Sequence, residues 1–274
     1  MPVQTSIQLF TVRESLEADL DGTLAELAER GFSAAEPYDF VRRASTLASA
    51  LKANGIAAPT GHAFLASTSF VNPDGSGTSS PVPSPDAVFD AADVLGMTTV
   101  IDPYTEPARW QTLEQIADIA RLLNIAAEIG AARGIRVGYH NHAHELESTF
   151  QGRTGLEVLS DLLDERVVLE VDLYWVARAG VDSPTLVRAL GDRVVAVHVK
   201  DGTLDGAAIS AYPPEDQVPA GQGVVPLREA IAAATALEVA IVEFDHYRGD
   251  LFEALEISRN FLDGLQVDDK VLTR

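Results

Sequence analysis

Histidines and carboxylates gather at one kind of position in this sequence, the carboxyl end of short apolar runs. The histidines are His62, His140, His142, His144, His198 and His246, and none falls in a predicted helix. The carboxylates that share these ends are Glu36, Asp172, Asp201, Glu243 and Asp245. Histidine is ordinarily scattered and intermediate in burial. The clustering therefore predicts an active site at one rim of a fold made of repeated strands.

Several of these side chains are expected to face the same interior. Residues two apart in a strand point the same way, so Glu170 shares a face with Asp172, and Glu243 with Asp245. Buried charge is costly unless it is paired or bound to metal. The predicted metal ligands are His140, Asp172, His198 and Glu243. This mixture of nitrogen and oxygen donors suits Mn²⁺ or Co²⁺, while Zn²⁺, Fe²⁺ and Mg²⁺ stay open.

A divalent ion at such a site would act as a Lewis acid on a substrate carbonyl and ease removal of the neighbouring proton. The resulting enediolate can isomerise, epimerise or lose a β-hydroxyl. Candidate catalytic bases are Glu243 first, then His142, Glu145 and Glu36. Predicted substrate contacts are Glu36, His62, Trp175, Lys200 and His246. Lys200 is expected either to bind an anionic group or to pair with Glu170 or Asp201.

Eight strand-like runs alternate with amphipathic helical stretches, which predicts a parallel (β/α)₈ TIM barrel. The predicted strands are Ser6–Phe10, Ser33–Glu36, Ala57–His62, Thr98–Asp102, Arg136–Asn141, Val167–Asp172, Val194–Lys200 and Val239–Phe244. The predicted helices are 16–30, 41–54, 85–95, 112–133, 154–164, 183–190, 226–236 and 250–264. Long loops at 66–85 and 202–226 fall on the same rim, the first as a hypothetical lid. No linker divides the chain, so residues 1–274 are interpreted as one domain.

Composition narrows the class of protein. The net charge of -21 disfavours nucleic acid and anionic membranes as partners, because no basic patch exists to neutralise phosphate. The absence of cysteine excludes a thiolate nucleophile or ligand. Neither an 18-residue apolar run nor a basic-then-apolar leader occurs, so a cytoplasmic protein is expected. The expected partner is a small carbohydrate, and a homo-oligomer stays open.

Four motifs resemble the sugar phosphate isomerase/epimerase family of xylose isomerase-like barrels. They are Gly138–His142 (GYHNH), Asp172–Trp175 (DLYW), Val197–Asp201 (VHVKD) and Val242–Asp245 (VEFD), with Ser6–Arg13 fitting the same pattern. The resemblance covers nearly the whole chain and implies the same barrel and the same four metal ligands. Ketose epimerases of this superfamily carry a glutamate at the position of His140. Only Glu243 remains of their proton-exchanging pair, so a two-glutamate mechanism does not carry over.

Three functions follow from this sequence. The first is a metal-dependent isomerase or epimerase of a small keto sugar. The second is a lyase that dehydrates an inosose or a 3-keto sugar on the same scaffold. The third, of another class, is a carbohydrate-binding barrel without turnover. Phosphodiester cleavage in DNA is disfavoured by charge and by too few ligands for a multi-metal cluster. An unphosphorylated substrate is favoured because the rim loops offer few cations.

Overall fold

Eight parallel strands form the centre of the protein. The computed structural model describes residues 3–71, 78–205 and 212–272. The strands are β1 (Gln4–Gln8), β2 (Ala35–Glu36), β3 (Thr60–His62), β4 (Thr99–Asp102), β5 (Arg136–His140), β6 (Val167–Asp172), β7 (Val194–Val199) and β8 (Val239–Val242). They pair in the order β2-β1-β8-β7-β6-β5-β4-β3. Parallel bridges from Ala34 to Ala57 and from Tyr38 to His62 link the chain around β2 to that around β3. The predicted (β/α)₈ barrel is confirmed.

A principal helix follows each barrel strand. These helices are Leu20–Glu29, Ala44–Ala53, Pro85–Leu95, Leu113–Ala131, Gly155–Leu162, Ser183–Leu190, Leu227–Ala233 and Leu251–Leu272. Shorter helices span Arg13–Ala18, His144–Glu147 and Leu173–Arg178. Local signals set helix ends: the Ser84 hydroxyl accepts from the N–H of Ala87, and Gly96 ends that helix at a left-handed φ of 69°.

The barrel interior is apolar at its lower end. A cluster of buried side chains, here called the floor, comprises Ile101, Val168, Val195, Ala196, Val239 and Ile241. Gly138 faces this floor, since a Cβ atom there would lie 2.4 Å from Ile101 Cδ1 and 3.1 Å from Val168 Cγ2. Two residues beyond Val168, Ala196 and Ile241, the chain carries Glu170, His198 and Glu243, which therefore share the inward face. Polar groups lie directly above the floor.

The elements differ from prediction mainly at their ends. β2 and β3 each begin two or three residues later than predicted, and the helix predicted at 16–30 is divided at Asp19, whose side chain caps its second part by accepting from Gly22 N–H. Two short helices on the rim were not predicted. One of them, His144–Glu147, contains His144, so the expectation that no histidine lies in a helix is wrong.

Both long rim loops contain short antiparallel strands. Ser69–Val71 pairs with Ser79–Pro81, and Asp201–Gly202 pairs with Gln217–Val218. The hypothetical lid includes residues 72–77, and the second loop includes residues 206–211, both outside the described residues. Within the described stretches, no helix has the length and apolar character that crossing a membrane requires.

Candidate metal centre

Three carboxylates surround one ammonium group at the carboxyl end of the barrel. Lys200 Nζ lies 2.9 Å from Asp172 Oδ2, 2.6 Å from Glu243 Oε2 and 3.0 Å from Asp245 Oδ2. All four residues are buried, and together they are called the rim layer. Of the two alternatives for Lys200, pairing with Glu170 or Asp201 is not what the structure shows, because the neighbouring strands β6 and β8 bring other carboxylates to it. Binding of an anionic substrate group stays a prediction.

Asp172 uses its two oxygens differently. Oδ1 accepts from the N–H of Trp175 and so caps the helix Leu173–Arg178, while Oδ2 faces Lys200. Burial raises the pKa of this carboxyl to about 6, against the opposing charge of Lys200. One oxygen is therefore fixed by the fold and the other is available to a cation.

His198 brings a nitrogen to the same place. Its Nδ1 lies 2.6 Å from Glu243 Oε2, and the ligand atoms of Asp172, His198 and Glu243 lie within 4.8 Å of one another. His140 Nε2 lies 3.8 Å from Asp172 Oδ2. Three of the four predicted ligands thus form one compact donor set, with the fourth beside it, and their role as ligands stays a prediction.

A second group of polar side chains, called the inner layer, lies between the rim layer and the floor. Its members are Gln8, Glu36, His62 and Glu170. His62 Nε2 lies 2.8 Å from Glu170 Oε1 and 3.0 Å from Glu36 Oε1. Burial would lower the pKa of His62, but these two carboxylates raise it to about 10. His62, predicted to contact substrate, is thus held by protein groups.

The inner layer contributes to another potential donor set. Ligand atoms of His62, His140, Glu170 and His198 also lie within 4.8 Å of one another. His140 and His198 therefore connect the two layers. Each has one ring nitrogen that faces the inner layer and one that faces the rim layer. Burial, followed by the charge of His198, holds the pKa of His140 well below its ordinary value, so its imidazole is neutral. A neutral imidazole is the form that binds metal.

The balance of buried charge fits a divalent cation. Both layers together bury five carboxylates, namely Glu36, Glu170, Asp172, Glu243 and Asp245. The groups whose pKa values are raised, and which can offset them, are Lys200, His62 and His198. With every group ionised, the five carboxylates exceed these three cations by two. Buried charges without partners are costly, and a divalent ion at Asp172, His198 and Glu243 would remove the excess.

An aromatic wall stands beside the rim layer. The ring centroid of His142 lies 5.6 Å from that of Tyr104 and 5.7 Å from that of Trp175. His142 Nδ1 and Trp175 Nε1 are both buried without a hydrogen-bond partner among the described residues. Burial, followed by the charge of Lys200, lowers the pKa of His142 well below its ordinary value. A neutral imidazole and an indole N–H thus both lie beside the rim layer.

The remaining predicted residues lie outside this donor set. Glu145 is buried and accepts from the Tyr139 hydroxyl at 2.8 Å and from the His142 N–H at 2.9 Å, an arrangement that holds the loop after β5. Glu36 Oε1 lies 2.8 Å from His198 Nε2, in the inner layer. His246 is half-buried at the rim, and its N–H donates to Gln217.

The site includes two glutamines that the pattern of histidines and carboxylates does not predict. Gln8 donates from Nε2 to Glu36 Oε1 at 2.8 Å. Gln217 donates to Asp245 Oδ2 and accepts from the Asp245 N–H, both at 2.9 Å. Gln8 is the last residue of β1 and a polar residue within the predicted strand Ser6–Phe10, and that position is a usable signal. Gln217 comes from an irregular loop, which carries no periodic pattern.

Comparison with known proteins assigns the family. Eight parallel strands, each followed by a helix, define a TIM barrel, and the ionisable groups gather at the carboxyl ends, where TIM-barrel enzymes have their active sites. Residues 24–263 match the model of the xylose isomerase-like TIM barrel family, and the chain belongs to that family. No curated protein is significantly similar in sequence.

Solved structures share this fold at low sequence identity. A sugar phosphate isomerase/epimerase from Parabacteroides distasonis is 15% identical with a TM-score of 0.75, covering 95% of this chain and 96% of its own. The IolI protein with a bound zinc atom is 16% identical with a TM-score of 0.67, covering 97% and 99%. A probable 3-DHS dehydratase, AsbF of Bacillus anthracis, is 14% identical with a TM-score of 0.66, covering 99% of both chains. These likenesses show the fold.

Proposed function

We propose that the protein is a divalent-metal-dependent isomerase or epimerase of a small carbohydrate, acting by proton removal next to a carbonyl. The observation that carries the proposal is the convergence of ligand atoms from Asp172, His198 and Glu243 at the carboxyl end of the barrel. Their carboxylate and imidazole chemistry suits Mn²⁺, Co²⁺ or Zn²⁺. A structural relative that shares the fold and has a bound zinc atom supports a metal ion in a barrel of this type.

Glu243 has the properties of the base. Burial would raise the pKa of this carboxyl, but the charges of Lys200 and His198 hold it well below its ordinary value, so it is ionised at neutral pH. A divalent ion beside it would polarise a substrate carbonyl and acidify the adjacent C–H. Glu243 then accepts the proton, and Lys200, 2.6 Å from its Oε2, steadies the carboxylate.

The surroundings favour an unphosphorylated carbohydrate. Arg248, the first arginine after β8, pairs with Glu215 at 2.7 Å. Arg13 donates to the carbonyl of Phe10 and lies over its ring. On the other side, Trp175 offers an apolar face and an indole N–H for a sugar, and His142 Nδ1 lacks a described partner. These groups match hydroxyls and C–H faces better than a phosphate.

A lyase that dehydrates an inosose or 3-keto sugar is the second candidate. Elimination needs an acid near the base, so that the departing hydroxyl leaves as water. The ammonium of Lys200 beside Glu243 places a proton donor on that side. A structural relative described as a probable 3-DHS dehydratase also favours this chemistry on the scaffold.

Proton exchange with solvent tests the proposal. Protein loaded with Mn²⁺, Co²⁺ or Zn²⁺ is incubated in D₂O with ketoses, inososes and 3-keto sugars, and deuterium incorporation is followed by NMR. We expect incorporation into at least one ketose. Glu243→Gln should reduce its rate by roughly 10²–10⁴-fold, while Glu29→Gln, at an exposed carboxylate, should not change it.

The other outcomes separate the alternatives. An absorbance rise from an enone product would replace the isomerase with the lyase. Binding of a sugar without exchange or product would support a carbohydrate-binding barrel and contradict both enzymes.

A further inference from the structure

Glu170 contacts three imidazoles through a single oxygen. Its Oε1 lies 2.8 Å from His62 Nε2, 3.0 Å from His140 Nδ1 and 3.0 Å from His198 Nε2. Glu36 Oε1 reinforces the last contact at 2.8 Å from the same His198 nitrogen. A carboxylate oxygen accepts hydrogen bonds. The ring nitrogens that face this layer therefore carry protons.

Gln8 and Glu170 contact the two ring nitrogens of His62. Gln8 Oε1 accepts from the N–H of Phe10 at 3.0 Å, so the amide NH₂ is the end that faces His62. That NH₂ lies 3.2 Å from His62 Nδ1, which accepts from it when the ring is neutral. His62 Nε2 faces Glu170 and Glu36 and carries a proton whether the ring is neutral or charged.

The opposite nitrogens of His140 and His198 point to the rim layer. His140 Nε2 faces Asp172 Oδ2 at 3.8 Å, and His198 Nδ1 faces Glu243 Oε2 at 2.6 Å. With its proton on Nδ1 toward Glu170, His140 keeps the lone pair of Nε2 for a metal ion. His198 Nδ1 faces the ionised Glu243 and carries a proton, which an ion bound there would displace.

We infer that Glu170, supported by Glu36, is a positioning residue that selects where the metal binds, an inference that rests on the proposed function. It holds protons on the inner nitrogens of His140 and His198 and so directs their other nitrogens to the rim layer. The ion then binds at Asp172, His198 and Glu243 with His140, and the donor set that includes His62 stays protonated and metal-free.

The competing position would require three rearrangements. For His62, His140, Glu170 and His198 to bind an ion together, all three inner nitrogens must lose their protons. Glu170 would lose the hydrogen bonds it accepts from them. Gln8 would also have to stop donating to His62 Nδ1, because a ring that binds through Nε2 needs its proton on Nδ1.

Long-range ¹H–¹⁵N correlation of ¹⁵N-histidine protein tests the inference directly. In metal-free protein we expect His140 to be protonated on Nδ1 and His62 on Nε2. Titration with Zn²⁺ should shift His140 Nε2 and His198 Nδ1 and leave both nitrogens of His62 unchanged. Zn²⁺-induced shifts at His62, or a proton on Nε2 of metal-free His140, would overturn the inference. Single histidine variants assign the signals.

Metal affinity of Glu170→Gln gives a second readout. Loss of a carboxylate that orients a ligand costs about 10–100-fold in affinity. We expect a loss of this size for Zn²⁺ by calorimetry, with one ion per chain retained, and no change in Glu29→Gln. Unchanged affinity, or complete loss of binding, would contradict a positioning role. Binding of Zn²⁺ at His62 in the wild-type protein would contradict this inference alone. A wild-type protein that binds no metal ion would contradict the proposed function as well.

Discussion

The inner layer and the rim layer differ in their ratio of carboxylates to nitrogen groups. In the inner layer, Glu36 and Glu170 meet the nitrogens of three imidazoles, and the carboxylate oxygens are shared among them. In the rim layer, Asp172, Glu243 and Asp245 all converge on Lys200. In the inner layer one oxygen of each glutamate, Oε1, accepts from the imidazoles, whereas the rim layer has three carboxylates for one ammonium group. This difference supports the proposal that the cation binds at the rim.

Removal of the ammonium group should have the largest effect on the rim layer. Lys200→Met leaves three buried carboxylates without it, and removing one partner of a buried ion pair costs about 3–5 kcal/mol. We expect a loss of this size in urea unfolding of the metal-free protein. Mn²⁺ should restore much of it and bind the variant more tightly than the wild type, because no ammonium competes.

The matched control is Lys52→Met, which changes an exposed lysine at the end of the helix Ala44–Ala53. It should alter neither stability nor affinity. An equal loss of stability in Lys200→Met with and without Mn²⁺ would mean that the ion does not bind among these carboxylates.

Lower pH should act on the rim layer through Asp172. Burial raises the pKa of this carboxyl from 3.8 to about 6. Below that pH an ion must displace a proton, so Mn²⁺ affinity should fall about tenfold per pH unit. In the metal-free fold the raised pKa stabilises the protein fully below 3.8, and that contribution is lost as pH rises through about 6. Calorimetry between pH 5 and 8 measures the first effect, and a flat affinity would contradict it.

The floor provides the smallest effect and the internal reference. Ile101 lies on β4, which supplies none of the proposed ligands, and it is fully buried. Ile101→Val should cost about 0.5–1.5 kcal/mol of stability through lost packing. Metal affinity and stoichiometry should stay as in the wild type. A shift in affinity would show that the floor, and not the inner layer, positions the histidines.

The features that could be predicted from the sequence are those that depend on the pattern within one segment. Alternation of apolar strands and amphipathic helices gave the barrel, and the spacing of Glu170 and Asp172 placed both on one inward face. The partners of Lys200 depend on the register between β6, β7 and β8, which no single segment encodes. The same holds for the depth of His62, and Gln217 reaches the site from a loop without periodicity.

Asp172 also links the proposed metal site to the fluorescence of a tryptophan. One of its oxygens caps the short helix that carries Trp175, and the other points to where the ion is proposed to bind. Movement of that carboxylate toward an ion would therefore also move Trp175, whose indole lies beside His142. The second tryptophan, Trp110, is anchored on Thr105 by its own N–H and would supply a steady background. The wavelength of maximum tryptophan fluorescence should therefore shift as the metal ion binds, and this shift can be followed without an added dye.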